Sequence, residues 1–267
     1  MHSPSPRFLF NTPEIELWPA SVLRARGNRD ARALSRATQV LRRKRDGAYL
    51  AAALPEGVLG LLPGWQRARG IDDALDLLDA GVVPAPQDIA PTLSLSQVET
   101  RLDVLGLDAD AYAARTGLAL VAEPAWLSLA GDDRYRRPLW LEAATARAWQ
   151  RLQAAAARDD VVLEAVSGYR SHAYQLGIFE RKRARGLSLD AILAVNAAPG
   201  YSEHHAGSAL DISAPGEPAA EESFERTPAF KWLTQHARDH GFSLSYPRDN
   251  PHGIVYEPWH WRYRPAG

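Results

Sequence analysis

A chain of 267 residues is long enough for one large domain or two modest ones, and its 46% hydrophobic share suffices to bury a core. Lys plus Arg number 31 and Asp plus Glu 32, for a net charge of −1, which leaves no electrostatic case for nucleic acid or an anionic membrane surface as partner. The absence of cysteine excludes disulfides, thiolate metal sites and thiol nucleophiles.

In chain order, the start carries only the short apolar run Phe8-Leu9-Phe10 before Glu14 and Glu16, which does not make a secretory signal. No stretch approaches the ~20 apolar residues of a membrane span. The expectation is a cytoplasmic protein, or a periplasmic one if Met1 is not the natural start. Asn28 to Arg45 reads as a helix from the spacing of its Ala, Leu and Val residues. Ala48 to Leu54 and Val58 to Leu62 read as a hairpin around Pro55-Glu56-Gly57. Ile71 to Leu78 reads as a helix, and Pro84 to Pro91 as a linker. Two short helices are expected over Ser94 to Leu105 and Asp108 to Thr116. The basic runs Arg42-Arg43-Lys44-Arg45 and Arg181-Lys182-Arg183 read as wet faces of helices.

The second half predicts a helix over Leu139 to Ala157, a strand over Val161 to Val166, and helices over Ala173 to Arg185 and Asp190 to Val195. A strand over Ala209 to Ile212, a helix over Pro228 to His240, and strands over Phe242 to Tyr246 and Ile254 to Tyr256 complete the series. The order implies an α+β fold: a small antiparallel sheet packed with helices in a C-terminal catalytic domain (residues 123–267), preceded by a smaller, mixed and mainly helical N-terminal domain (residues 1–122) of unassigned role.

Two clusters carry the chemistry. One is Ser202-Glu203-His204-His205-Ala206-Gly207-Ser208-Ala209-Leu210-Asp211; the other is Tyr256-Glu257-Pro258-Trp259-His260-Trp261. A hydrolytic zinc site needs three N or O ligands, an open fourth position and a nearby base. His204, Asp211 and His260 supply two imidazoles and a carboxylate, and Glu257 lies three residues before His260, close enough to act as the base. Gly207 permits a tight path from His204 to the strand carrying Asp211. Each piece is weak alone, since a lone histidine is more often structural than a ligand.

In combination, Ser-x-His-x-x-Gly-x-Ala-x-Asp followed by Glu-x-x-His-Trp resembles the VanY-type D-alanyl-D-alanine carboxypeptidases, within the zinc peptidases that also include L,D-carboxypeptidases and some phage endolysins. Ser167-Gly168-Tyr169-Arg170-Ser171, with Gln175 following, agrees, and the resemblance covers roughly residues 130 to 267. It implies Zn2+ held by His204, Asp211 and His260, Glu257 as catalytic base, and Arg170 as a group that engages substrate and stabilises the oxyanion. It also implies substrate contacts from Gln175, Ser202 and, more loosely, Tyr246. The implied substrate is a peptidoglycan peptide or muropeptide losing its C-terminal D-alanine. A tetrapeptide cut by an L,D-carboxypeptidase is favoured by the N-terminal reading. A D,D-carboxypeptidase on D-Ala-D-Ala pentapeptides, an endolysin-like endopeptidase and a non-catalytic zinc module are the alternatives.

His205 stands where such proteins often carry Gln. In a strand-like stretch neighbouring side chains diverge, so one of the two is expected to reach the metal, and the spacing to Asp211 in the matched motif favours His204 over His205. His172 is expected near the pocket; His236, His240 and His252 read as helix surface, core or loop, and His2 as a terminal residue.

Overall fold

The computed structural model describes residues 8–25, 27–79 and 91–264. The expected linker at 84–91 therefore falls, but for Pro91, outside the described residues, as does His2. The chain forms two compact units: Met1–Ser94 with Glu123–Ser128, and Leu95–Ala122 with Leu129–Gly267.

The first unit is built on an antiparallel sheet, not mainly on helices. Its strands are β1 (Phe8–Asn11), β2 (Ile15–Pro19), β3 (Gln39–Arg43), β4 (Tyr49–Leu54) and β5 (Gly57–Gly60), with helices α1 (Asn28–Leu34) and α2 (Ile71–Asp79). The strands follow one another in space, and the start of β6 (Trp126–Asp132) pairs with β1. The expected helix over 28–45 ends at Leu34 because Val40 and Leu41 are both fully buried, on opposite faces of β3. Leu41 packs with Leu17, Leu50 and Ile71, and Val40 with Ala33 and Ala52. A strand covered on both faces loses the alternation that marks strands in sequence. The hairpin at Pro55-Glu56 forms as expected, with Leu54 opposite Gly57. Lys44, within one basic run, is fully buried and paired with Glu123 on the returning segment, so it is no wet helix face.

The second unit begins with α3 (Val98–Asp103) and α4 (Ala109–Thr116) and continues after β6 with β7 (Pro138–Leu141), α5 (Ala143–Arg158), β8 (Glu164–Ser167), α6 (His172–Ala184) and α7 (Leu189–Leu193). Then come β9 (Ala209–Ser213), α8 (Pro228–His236), β10 (Phe242–Leu244) and β11 (His260–Tyr263). The observed units thus divide the chain differently from a single boundary at residues 122 and 123. Val98, Leu102 and Tyr112 share one apolar cluster with Phe179, Ile192, Tyr201 and Tyr246 of the second unit, which draws residues 95–122 to it.

The expected helix over 139–157 starts later. Glu142 caps α5 by accepting from the backbone N–H groups of Ala144 and Thr145 at 2.8 and 3.0 Å, which leaves Leu139 and Leu141 to a strand. The strand expected over 161–166 is shifted to Glu164–Ser167. Ile254 to Tyr256 is not a strand; the last strand of the sheet is His260–Tyr263, and it lies inside the sheet rather than at an edge.

The four-stranded sheet runs β10-β11-β9-β8, all antiparallel. Leu210, Ile212 and Trp261 point into one core with Trp149, Leu152 and Leu233 of α5 and α8. Strand alternation then sends Asp211 and His260, which face each other across β9 and β11, to the opposite face. No helix among the described residues is long and apolar enough to cross a membrane.

Candidate metal centre

His204 reaches the same point from a 3-10 turn, Glu203–Ala206, rather than from the strand-like segment expected. Gly207 ends that turn at φ +66°, a left-handed conformation that favours glycine, and its N–H donates to the His204 carbonyl at 3.1 Å. His204 Nε2 and His260 Nδ1 each lie 3.3 Å from Asp211 Oδ1. His204, Asp211 and His260, all buried, form the one group of three or more such side chains among the described residues whose ligand atoms lie close enough to hold a metal, all within 4.8 Å of one another.

The outer nitrogens are already committed. His204 Nδ1 lies 2.7 Å from the Gly168 carbonyl, which can only accept, so Nδ1 carries the hydrogen and Nε2 keeps its lone pair toward Asp211. Gly168 is close-packed: a Cβ there would come within 2.8 Å of Leu139 and 3.0 Å of the Trp140 carbonyl oxygen. His260 is turned the other way. Its Nε2 donates to Glu203 Oε2 at 3.0 Å, leaving Nδ1 for the centre. Glu203 also accepts from Ser245 Oγ at 2.5 Å and Arg262 Nη1 at 2.8 Å. Two inward imidazole nitrogens, one carboxylate and a held second shell are the donor set of a hydrolytic zinc site, so the residues present fit the ion.

The charges of the metal-free cluster follow from these contacts. Burial opposes ionisation of Asp211, yet His204 and His260 hold it well below the usual carboxylate range. Burial likewise opposes Glu203, but its hydrogen bond from His260 helps bring it down to about 2. Burial lowers His204, while His260, against its own burial, is pushed up to about 10 by Asp211 and Glu203. Glu257 behaves oppositely: burial, with a smaller contribution from Asp211, raises it to about 7 against the pull of His260 and Arg170. Its Oε2 stands 3.8 Å from His260 Nδ1, beyond hydrogen-bond reach.

The centre opens on a cavity of about 340 Å³ lined by all the residues singled out in the sequence, Arg170, Gln175, Ser202, His204, Asp211, Tyr246, Glu257 and His260. Arg170 Nη1 donates to Gln175 Oε1 at 3.0 Å, and Arg170 Nη2 lies 3.7 Å from Asp211 Oδ2. Gln175 Nε2 donates to the Ala197 carbonyl at 2.8 Å, so the buried amide is anchored at both ends and holds the guanidinium. The Tyr246 ring sits 4.8 Å from that of His260, and burial pushes its phenol well above its ordinary range.

His205 is excluded from the centre by its own bonds. Its Nδ1 lies 2.6 Å from the Arg170 carbonyl and its Nε2 accepts from Gly200 N–H at 3.1 Å. His172 is not among the residues lining the cavity; it meets His205 edge to face with ring centres 4.3 Å apart, and its Nε2 lies 2.8 Å from the Val121 carbonyl. His236 and His240 lie beside Trp232, and His252 Nδ1 lies 2.8 Å from the Thr116 carbonyl. Two residues escaped the sequence reading. Glu203 was visible only as a neighbour of His204, and Lys182, hidden in a basic run, lines the cavity.

A buried His-Asp-His cluster with a separate glutamate lining the same cavity is the arrangement used by mononuclear metal-dependent hydrolases. Residues 138–266 match the family model described as VanY, D-alanyl-D-alanine carboxypeptidase. The bifunctional D-Ala-D-Ala dipeptidase and D-Ala-D-Ala carboxypeptidase VanXYC of Enterococcus gallinarum is 33% identical over 132 residues, 47% of this chain and 67% of that protein. The chain therefore belongs to the VanY D-alanyl-D-alanine carboxypeptidase family. YodJ of Bacillus subtilis (strain 168) is 41% identical over 113 residues, 41% of each chain. Among solved structures, the LdcB LD-carboxypeptidase is 33% identical, with 50% of this chain and 64% of that one covered and a TM-score of 0.46. The chain thus spans less than half of YodJ and just under two thirds of the LdcB chain.

Proposed function

We propose that this protein is a zinc-dependent carboxypeptidase that hydrolyses the C-terminal D-alanine of peptidoglycan peptides, with tetrapeptide muropeptides as substrate. The observation that carries the reading is the pairing of two preset imidazoles and Asp211 with a glutamate, Glu257, poised near neutrality beside them. A zinc ion held by His204 Nε2, His260 Nδ1 and Asp211 would supply Lewis acidity toward the scissile carbonyl and an attacking water.

The chain's own residues account for the proton and charge movements. Glu257 accepts a proton from the water as its oxygen bonds to the carbonyl carbon, then returns it to the departing nitrogen as the C–N bond breaks. The products are a shortened peptide carboxylate and free D-alanine. Arg170, held by Gln175, offsets negative charge on the carbonyl oxygen. Tyr246 stays protonated and so keeps a hydrogen to donate to substrate, and Ser202 adds a hydroxyl to the cavity lining. The tetrapeptide is preferred because Lys182, Val195 and Asn196 line the cavity together with the cluster, and a lining of that extent suits a long side chain on the residue before the cleaved bond. A D-Ala-D-Ala pentapeptide would place only a methyl there; this D,D reading is the second one.

The test is digestion of tetra- and pentapeptide muropeptides read by mass, with and without a chelator. Loss of one alanine from the tetrapeptide, stopped by chelation and restored by zinc, is expected. Cleavage of the pentapeptide alone would move the protein to the D,D reading, internal cuts to an endopeptidase, and full turnover after metal stripping would end the zinc mechanism.

Glu203 enters as the group that orients His260. With Glu203→Ala the His260 ring loses its outer acceptor, and zinc affinity is expected to fall about 10- to 100-fold. Competition against a chromophoric chelator measures this, and an unaltered affinity would remove Glu203 from that role.

A further inference from the structure

A closed circuit of contacts ties the Arg170 backbone to a segment that the chemistry above does not use. Residues 95–122 precede the stretch that matches the family model, yet they pack into the same unit as that stretch. Val121, near the end of the segment, donates its N–H to the Gly200 carbonyl at 2.8 Å. Its own carbonyl lies 2.8 Å from His172 Nε2, and a carbonyl only accepts, so that nitrogen donates. The His172 ring meets the His205 ring edge to face. His205, fully buried, completes the circuit with both nitrogens: Nε2 accepts from the Gly200 N–H at 3.1 Å, and Nδ1 donates to the Arg170 carbonyl at 2.6 Å. Gly200 has little room to shift, since its φ is +92° and a Cβ there would come within 2.6 Å of Val98 on α3. The Arg170 N–H donates to the His204 carbonyl at 3.2 Å. Both backbone groups of Arg170 are thus held by the turn Glu203–Ala206, one of them through the His205 side chain.

We infer that His205 is a positioning residue for Arg170, and that residues 95–122 supply the fixed point from which it acts. Gln175 holds the guanidinium, but where that group reaches also depends on where the Arg170 backbone stands, and His205 sets the backbone. A charge-stabilising donor works only when it is placed before the reaction begins, and a displacement of about 1 Å costs about 10²-fold in rate. With leucine at 205, the Arg170 carbonyl and the buried Gly200 N–H each lose a partner, and the backbone shifts to find others. Glutamine can do the work of the ring, because its amide carries a donor and an acceptor on one carbon, as Nδ1 and Nε2 flank Cε1 in imidazole. The inference rests on the role given to Arg170 in the carboxypeptidase reading above.

The test uses the full chain loaded with zinc and the tetrapeptide muropeptide. His205→Leu is expected to lower kcat and kcat/KM together by about 10²-fold, the mark of an interaction made in the transition state, with zinc content at that of the parent. His205→Gln should restore most of the loss. In an Arg170→Met background, His205→Leu should cost nothing further, because the residue it places is gone. A structural role alone would lower the unfolding temperature and leave turnover per folded, zinc-loaded molecule unchanged. Parental kcat in His205→Leu, a loss that glutamine does not restore, or the same loss in the Arg170→Met background would overturn the inference, and loss of zinc would assign the ring to His204 instead. Should His205→Leu fail to fold, His205→Asn, whose shorter amide meets only one of the two backbone groups, takes its place with the same expectations. If the parent cleaves neither tetra- nor pentapeptide, the carboxypeptidase reading falls, and the placement of Arg170 is read directly. Its guanidinium NMR signal, identified by its absence from Arg170→Met, is expected to move in His205→Leu and return in His205→Gln. A signal unmoved in His205→Leu would overturn the inference.

Discussion

Glu257→Gln is expected to lower turnover by about 10²- to 10⁴-fold, the usual worth of a positioned general base, while zinc content stays at that of the parent. The side chain is the right group because burial leaves its carboxyl near 7, where it is basic enough to take a proton and acidic enough to give it up. It is separable from metal binding because its oxygen stands 3.8 Å from His260 Nδ1 and is not one of the three clustered ligands. The sign of the pH dependence follows. Only the carboxylate accepts a proton, so activity of the parent falls as pH drops through the Glu257 pKa. A bound dication draws that pKa downward, so the acid limb lies at or below about 7. The limb should be absent from the residual activity of Glu257→Gln. A variant with parental turnover, or one that has also lost its zinc, would remove Glu257 from the base role.

His260→Ala is expected to lose the metal and, with it, all zinc-dependent turnover, and to destabilise the protein more than His204→Ala does. In the metal-free protein His260 is the cation between two buried carboxylates, Asp211 on one side and Glu203 on the other. Removing it leaves both facing a cavity with one partner fewer. Breaking a buried pair in this way costs about 3–5 kcal/mol. His204→Ala instead orphans the Gly168 carbonyl, an unmade hydrogen bond worth about 1–3 kcal/mol, and Asp211 keeps His260 and Arg170. Metal analysis and thermal unfolding of chelator-treated samples compare the two. Normal zinc content in either variant, or equal destabilisation, would refute the assignment of that ring.

The same contacts give the metal-free protein a pH signature. A histidine raised from 6.5 to about 10 contributes stability that is complete below the unfolded value and disappears as pH climbs through the folded one. Zinc binding at Nδ1 must expel that proton, so affinity rises with pH across the same window.

The chemistry-bearing residues were legible because they sit in short ordered motifs. His204, Asp211 and His260 converge, and Glu257, Arg170, Gln175, Ser202 and Tyr246 line the cavity they face. Local signals also carried the hairpin at Pro55-Glu56 and helices such as α4 and α6, whose capping and periodicity are contained within a few residues. The strands were another matter. His260–Tyr263 owes its state to β9, about fifty residues back along the chain, and Val40 and Leu41 of β3 are buried on both faces, which erases the period of two.

By itself, the sequence marked His204, Asp211 and His260 as candidate ligands, through three ordered motifs that resemble a known family, and the fold brings those three side chains together. Tertiary structure alone decided which nitrogen each ring offers, that His205 spends both of its nitrogens on backbone, and that Glu203 holds His260 from 57 residues away. Those outcomes depend on the Gly168, Arg170 and Gly200 backbone and on the His260–Asp211 strand register. Hydrogen-bond direction is fixed by three-dimensional neighbours, and no pattern of residue types along a chain encodes it.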